Sequence, residues 1–262
     1  MQKISNPTFG SDFEMFVYDS KKEMIVPCPG WFGGTKDRPL DIGEGCYRQI
    51  DSVAAEFNIP VVTTLDEWVY YYNYCIRRGN EVLKSRGNKN LELIALSSHY
   101  FYPHQLTHKR HVTFGCSSSQ CAYDWSILSP NPEDAGNMRT TGAHIHIGFK
   151  VEEGFGADVV KRLIMCMDKC VGIPSVKMDK DRNRRKIYGQ AGEFRDKMVG
   201  DGDTFILEYR TLGGGLITPE GIPFMYIATR KALELYHSDY KFEDWELNKQ
   251  REYINSKVHQ YV

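Results

Sequence analysis

The 262-residue chain carries 33 basic and 34 acidic side chains, a formal net charge of −1, which supplies no electrostatic reason for general nucleic-acid or acidic-membrane binding. Its 41% hydrophobic and 13% aromatic content is that of a folded globular protein and excludes a disordered one. No apolar run approaches the ~20 residues of a membrane span, and Met1–Pro7 has no signal-peptide core. Seven cysteines at 28, 46, 75, 116, 121, 166 and 170 show no disulfide-framework spacing, so free thiols in a reducing, cytoplasmic compartment are expected. Cys116/Cys121 and Cys166/Cys170 lack the two-residue gap of a zinc knuckle. With no repeat and no long linker, the whole chain, 1–262, reads as one domain.

In chain order, the aromatic, alternating run Phe9–Tyr18 predicts a strand, and Glu23–Cys28 its hairpin partner across the turn 19–22. A glycine- and proline-punctuated loop, 29–39, follows. Arg48–Ile59 predicts a strand ending at Pro60. Thr64 with Glu67 forms a capping signature ahead of a helix that runs to Arg86 and stops at Gly87-Asn88. Leu91–Phe101 and Thr140–Lys150 predict strands, and Ala157–Val171 a helix ending at Gly172 and Pro174. Asp203–Leu212 predicts a strand opening into a turn at 213–215, and Pro219–Tyr236 and Phe242–His259 predict helices. This unequal grouping favours an α+β antiparallel sheet with helices on one face.

Several strand-like stretches carry ionisable groups, which are costly to bury unless paired or metal-bound. In Ser11-Asp-Phe-Glu-Met15, Asp12 and Glu14 share a face, and like charges at that spacing repel unless a cation lies between them. In Gly142-Ala-His-Ile-His-Ile-Gly148, His144 and His146 project together, able to hold a metal or contact phosphate, or simply satisfied by local hydrogen bonds. Glu208 and Arg210 share a face in Leu207-Glu-Tyr-Arg-Thr211, where a plain ion pair is the simpler explanation. Asp51 and Glu56 are five apart, so in one regular strand they face opposite ways. Either a bulge intervenes or one of them points into the site, with Glu56 favoured. The run 181–195 supplies guanidinium groups that match phosphate oxygens. Arg182, Arg184 and Arg185 read as a solvated face, and Arg195 is the better phosphate candidate. Hard carboxylates suit Mg2+ or Mn2+. The chain has no P-loop, nucleophile elbow or dinucleotide fingerprint. A cupin would need a second motif after its HxH strand, which is missing.

Taken in order, Asp-x-Glu, Asp-x4-Glu, GAHIHIGF, YGxAGEFR and EYRTL resemble the bacteriophage-type carboxylate–amine ligases (amidoligases) of the glutamine-synthetase-like superfamily, from about Phe9 to about Leu216. The resemblance implies a curved antiparallel sheet with helices on its outer face, and ATP with Mg2+ (or Mn2+) as cofactors. It makes Glu14, Glu56, His144 and Glu208 metal ligands, with Asp12 on a second ion, and turns His146 toward the nucleotide. It sets Arg210 on the transferred phosphate and Arg195 on that phosphate in flight, and matches Lys36 to a family loop without assigning a role. It implies small-molecule or peptide carboxylate and amine substrates, no nucleic-acid or membrane partner, and, for a phage-encoded chain, the host cytoplasm. The chain departs from the pattern at Asp51-Ser52, where Asp-Gly is expected, and in Gly115–Tyr123, which lacks an acidic residue. The rivals are a metal-dependent hydrolase built on the His pair, and a non-catalytic nucleotide-binding descendant of the fold.

Overall fold

The computed structural model describes residues 2–112, 118–129 and 135–256. Strand β1 (Thr8–Asp19) organises it. Its first half lies between β5 (Ala54–Asn58) and β11 (Ala143–Lys150), and its second half between β2 (Met24–Val26) and β6 (Leu91–Ile94). The antiparallel path continues outward from β5 through β4 (Cys46–Asp51) to β3 (Leu40–Gly43). On the other side it runs from β11 through β13 (Thr204–Tyr209), β12 (Glu193–Val199) and β8 (Ser119–Cys121) to β9 (Ile127–Leu128), making an eleven-stranded sheet. β7 (Ser98–Tyr100) and β10 (Met138–Thr140) form a separate pair.

The alternation of β1 decides its two faces. Phe9, Ser11, Phe13 and Met15 enter the core, while Gly10, Asp12 and Glu14 turn to the opposite face. Phe13 stacks on Tyr72 (ring centroids 4.4 Å apart) and on Phe57 (5.3 Å). Tyr72 belongs to α1 (Leu65–Lys84), which starts in a complete capping box between Thr64 and Glu67, an arrangement contributing about 1 kcal/mol. Gly79 lets this helix press on Phe57, since a Cβ there would come within 2.5 Å of that ring. The Trp68 indole N–H donates to the Ile222 carbonyl (2.9 Å), tying α1 to the later helix Gly221–His237. The α+β class, antiparallel with helices over one face, is as expected.

Several boundaries differ from expectation. Arg48–Ile59 is a hairpin, β4–β5, turning at Ser52, whose φ of +51° does the work of the glycine usual at such a turn. Leu91–Phe101 and Thr140–Lys150 each divide into two strands, the second around Gly142. The helix from Ala157 does not stop at Gly172. After α2 (Ala157–Met167), a π-helical turn (Asp168–Gly172) carries the chain into α3 (Ile173–Met178), where Pro174 sits in a first turn that needs no N–H from it. The helix Gly221–His237 is α4. The last helix, α5, spans Asp244–Asn255 and closes at Ser256, short of the expected His259; residues 257–259 lie outside the described residues, as does Cys116. Strand β12 was not expected at all.

Candidate metal and phosphate site

Register across the sheet gathers the ionisable residues on the face opposite α1. Asp12 lies opposite His144 on β11 and Asn58 on β5, Glu14 opposite Glu56, His146 opposite Glu208, and Glu208 opposite Arg195. The β4–β5 turn corrects the parity argument for Asp51 and Glu56. Asp51 pairs with Ala54 and Gln49 with Glu56, so across the hairpin both carboxylates face the same way.

Two three-donor groups result. Glu14, Asp51 and Glu56 each offer an oxygen within 4.8 Å of the others, as do the donors of Asp12, His146 and Glu208. In the first group three carboxylates share a desolvated space in which burial outweighs the nearby charges of Arg184 on Glu14 and of Lys36, His144 and Arg210 on Asp51. Burial, reinforced by the charge of Asp51, pushes Glu14 up to about 8, although the Gly142 N–H donates to its Oε2 at 2.6 Å. Burial and the charges of Asp12, Glu14 and Asp51 raise Glu56 well above the usual carboxylate range. Asp51 is also raised by burial, opposed by the charge of Lys36 on its exposed loop. Carboxylates held this way lack a divalent cation's charge, and hard oxygen donors of this kind suit Mg2+ or Mn2+.

The second group is already compensated. Burial would raise Asp12, but the charges of His144 and His146 outweigh it and hold the carboxyl well below its usual value. His144 Nδ1 is hydrogen-bonded to Asp12 Oδ1 at 2.9 Å and lies 3.3 Å from Glu208 Oε1. Its Nε2 points toward Gly142, where a Cβ would come within 2.5 Å. His146 Nε2 lies 3.4 Å from Asp12 Oδ1, and the Nε2 atoms of both His144 and His146 are buried without a hydrogen-bond partner. By position, His146 falls with Asp12 and Glu208 in the three-donor group, and His144 is hydrogen-bonded to Asp12, whereas the family resemblance makes His144 the metal ligand and turns His146 toward the nucleotide.

Glu208 is gripped from β12 and from the end of its own strand. Arg195 approaches it with two parallel bonds, Nε to Oε2 at 2.9 Å and a terminal nitrogen to Oε1 at 2.7 Å. Arg210, fully buried, donates to the same Oε1 at 2.8 Å, bonds the Tyr188 hydroxyl, and lies 4.9 Å from the centre of that ring. Burial and Asp12 push the Glu208 carboxyl up, but His144, Arg210 and Arg195 prevail and its pKa is lowered. Arg195, His146, Glu208, Lys197 and Ile206 line an adjoining cavity of about 230 Å³.

Of the nine residues expected at a site, Asp12, Glu14, Glu56, His144, His146, Glu208, Arg195 and Arg210 converge on one face, and Lys36 lies on the loop beside Asp51. The expectation for Arg184 and Arg185 is overturned: both are buried, Arg184 with its N–H groups on three backbone carbonyls and Arg185 with one on the Asp181 carbonyl. Two residues were missed. Tyr188 backs Arg210, and Glu193, 2% exposed, accepts from Ser119 and from the backbone N–H groups of Gly189 and Gln190, shaping the turn ahead of Arg195. Both belong to the YGxAGEFR motif, in which the resemblance assigns a role only to Arg195. Among the described residues no cysteine joins a group able to hold a metal, and no helix is long and apolar enough to cross a membrane.

No protein-family model matches the chain, and no curated protein matches it. Solved structures do. The crystal structure of a bifunctional glutathione synthetase from Pasteurella multocida aligns over 95% of this chain at 12% identity, with a TM-score of 0.56. Looser likenesses are apo GmaS (13% identity, 94% of this chain and 58% of that one, TM-score 0.44) and a novel glutamine synthase homolog (11%, 88% and 55%, TM-score 0.42). The class of fold is therefore shared with the Pasteurella synthetase. This chain spans 41% of that protein's length.

Proposed function

We propose that the protein is an ATP-dependent carboxylate–amine ligase, of the amidoligase kind its motifs resemble, acting on small-molecule or peptide substrates in the cytoplasm. One observation supports the proposal: two adjacent three-donor groups share a sheet face with Arg195, at the rim of a cavity, and Arg210, buried behind Glu208. Glu14, Asp51 and Glu56 would hold one Mg2+ or Mn2+, and Asp12, His146 and Glu208 a second; bound there, the ions would neutralise nucleotide phosphates. A carboxylate is a poor electrophile because its leaving group would be an oxide. Its oxygen attacks the γ-phosphorus of ATP, the bond to the β–γ bridging oxygen breaks, and ADP leaves. An amine nitrogen then bonds to the acyl carbon of the acyl phosphate, the carbon–oxygen bond to phosphate breaks, and inorganic phosphate and a proton depart. Arg195 and Arg210 supply fixed positive charge to the moving phosphoryl group, a role in which one well-placed donor contributes ~3–4 kcal/mol.

A metal-dependent hydrolase would need the cations but not the arginines, and a non-catalytic descendant would bind ATP without turnover. Screening carboxylate and amine pairs for ADP release, with mass detection of the coupled product, tests the proposal. Amide product formed in step with ADP supports it; hydrolysis without ATP, or ATP binding without product, rejects it.

A further inference from the structure

The arginine run 181–186 conceals a device that the chemistry above does not use. Arg184 is 3% exposed, and its guanidinium is spent on backbone carbonyls. Nε donates to the Thr141 carbonyl at 2.9 Å, one terminal nitrogen to the Thr211 carbonyl at 3.2 Å, and the other to the Arg210 carbonyl at 3.2 Å. These carbonyls lie just before β11 and just after β13, where the two central strands leave the sheet. The chain reserves space for the group: Gly189 sits at φ +75°, and a Cβ there would be 1.6 Å from an Arg184 nitrogen.

Two of the three ties lead to a site residue. The peptide whose oxygen is Thr141's presents its other end, the Gly142 N–H, to Glu14 Oε2 at 2.6 Å. The Arg210 carbonyl belongs to the residue whose side chain grips Glu208. We infer that Arg184 is a positioning residue, a planar fork that locks the strand exits so that Glu14 is presented to its cation and Arg210 to Glu208. It reaches none of the three-donor atoms by hydrogen bond; its charge acts on Glu14 directly, and Arg184→Lys keeps that charge while removing the fork. Lysine cannot substitute, because one ammonium does not span three carbonyls in the guanidinium plane.

The inference rests on the metal-dependent reading of the site, and one experiment separates the two. Mn2+ binding to the purified full chain is followed by electron paramagnetic resonance and calorimetry for wild type, Arg184→Lys and Arg185→Lys. Arg185 is a buried neighbour that donates to the Asp181 carbonyl rather than to a strand exit. Wild type is expected to bind two ions. Arg184→Lys should bind the ion among Glu14, Asp51 and Glu56 at least tenfold more weakly and keep the other within threefold, because Arg195 still holds Glu208, while Arg185→Lys matches wild type at both. If Arg184→Lys fails to fold, Gly189→Ala, which displaces the guanidinium without removing it, should give the same selective loss. A folded Arg184→Lys with wild-type binding at both ions, or an equal loss in Arg185→Lys, overturns the positioning role alone. A wild-type chain that binds no Mn2+ overturns the metal-dependent reading and this inference with it.

Discussion

Glu14 and Glu56 stand directly opposite each other on neighbouring antiparallel strands, with Asp51 turned onto the same face from the hairpin's other arm. Like charges directly opposed across a sheet are destabilising, by roughly 0.2–1 kcal/mol even where water screens them, and these are largely desolvated. The arrangement sacrifices stability for a cation site. Glu56→Gln should therefore raise the metal-free melting temperature, by about 2–4 °C per kcal/mol relieved in a chain this size, and at least halve the rise that Mn2+ produces in wild type. Melting curves with and without chelator read both effects. A lower metal-free melting temperature with an undiminished Mn2+ response would contradict the assignment.

Arg195 separates charge stabilisation from folding more cleanly than Arg210. It is 22% exposed, whereas Arg210 is wholly buried, and removing Arg210 would leave the Glu208 carboxylate less compensated, at a cost that can reach 3–5 kcal/mol. Arg195→Ala should keep its melting temperature within a few degrees of wild type and lower amine-dependent ADP release by about 10²–10³. Steady-state kinetics on the active substrate pair measure this. A decrease under tenfold would remove Arg195 from the reaction.

Asp168 gives the fold its own pH dependence, on the opposite side of β13 from the site. It is fully buried in the π-helical turn, accepting from the Tyr209 hydroxyl at 2.7 Å and the Tyr123 hydroxyl at 3.0 Å. Burial pushes its carboxyl up to about 7 against these hydrogen bonds. Because the folded-state pKa is raised, the native state binds the proton more tightly than the unfolded chain. That stability is complete below about pH 4 and is lost as pH rises toward 7, by up to about 4 kcal/mol, with no further loss above. Asp168→Asn, always neutral, should lack this component. Denaturant titrations from pH 5 to 8 should show wild type losing stability relative to Asp168→Asn up to about pH 7 and then levelling off. A constant difference between the two would contradict it.

The sequence revealed the site's donors more fully than their geometry. Period-two spacing put Asp12 with Glu14, His144 with His146, and Glu208 with Arg210, because side-chain direction in a strand follows from position alone. The same rule misled for Asp51 and Glu56, since it assumed one strand, and Ser52 adopts the turn conformation without the glycine that announces one. Strand β12 stayed hidden because Asp196 and Lys197 interrupt its alternation. The Arg182–Arg185 run read as solvated because the carbonyls that bury Arg184 come from residues more than twenty-five positions away in sequence, a relationship no local pattern encodes.

The most direct test of two cation sites beneath a nucleotide is a crystal soaked in Mn2+ and a non-hydrolysable ATP analogue, with anomalous scattering used to locate the ions. Two peaks are expected, one among Glu14, Asp51 and Glu56 and one among Asp12, His146 and Glu208, with the analogue's phosphates beside them and Arg195 near. An ordered analogue bound elsewhere, with no anomalous peak on this face of the sheet, would contradict it.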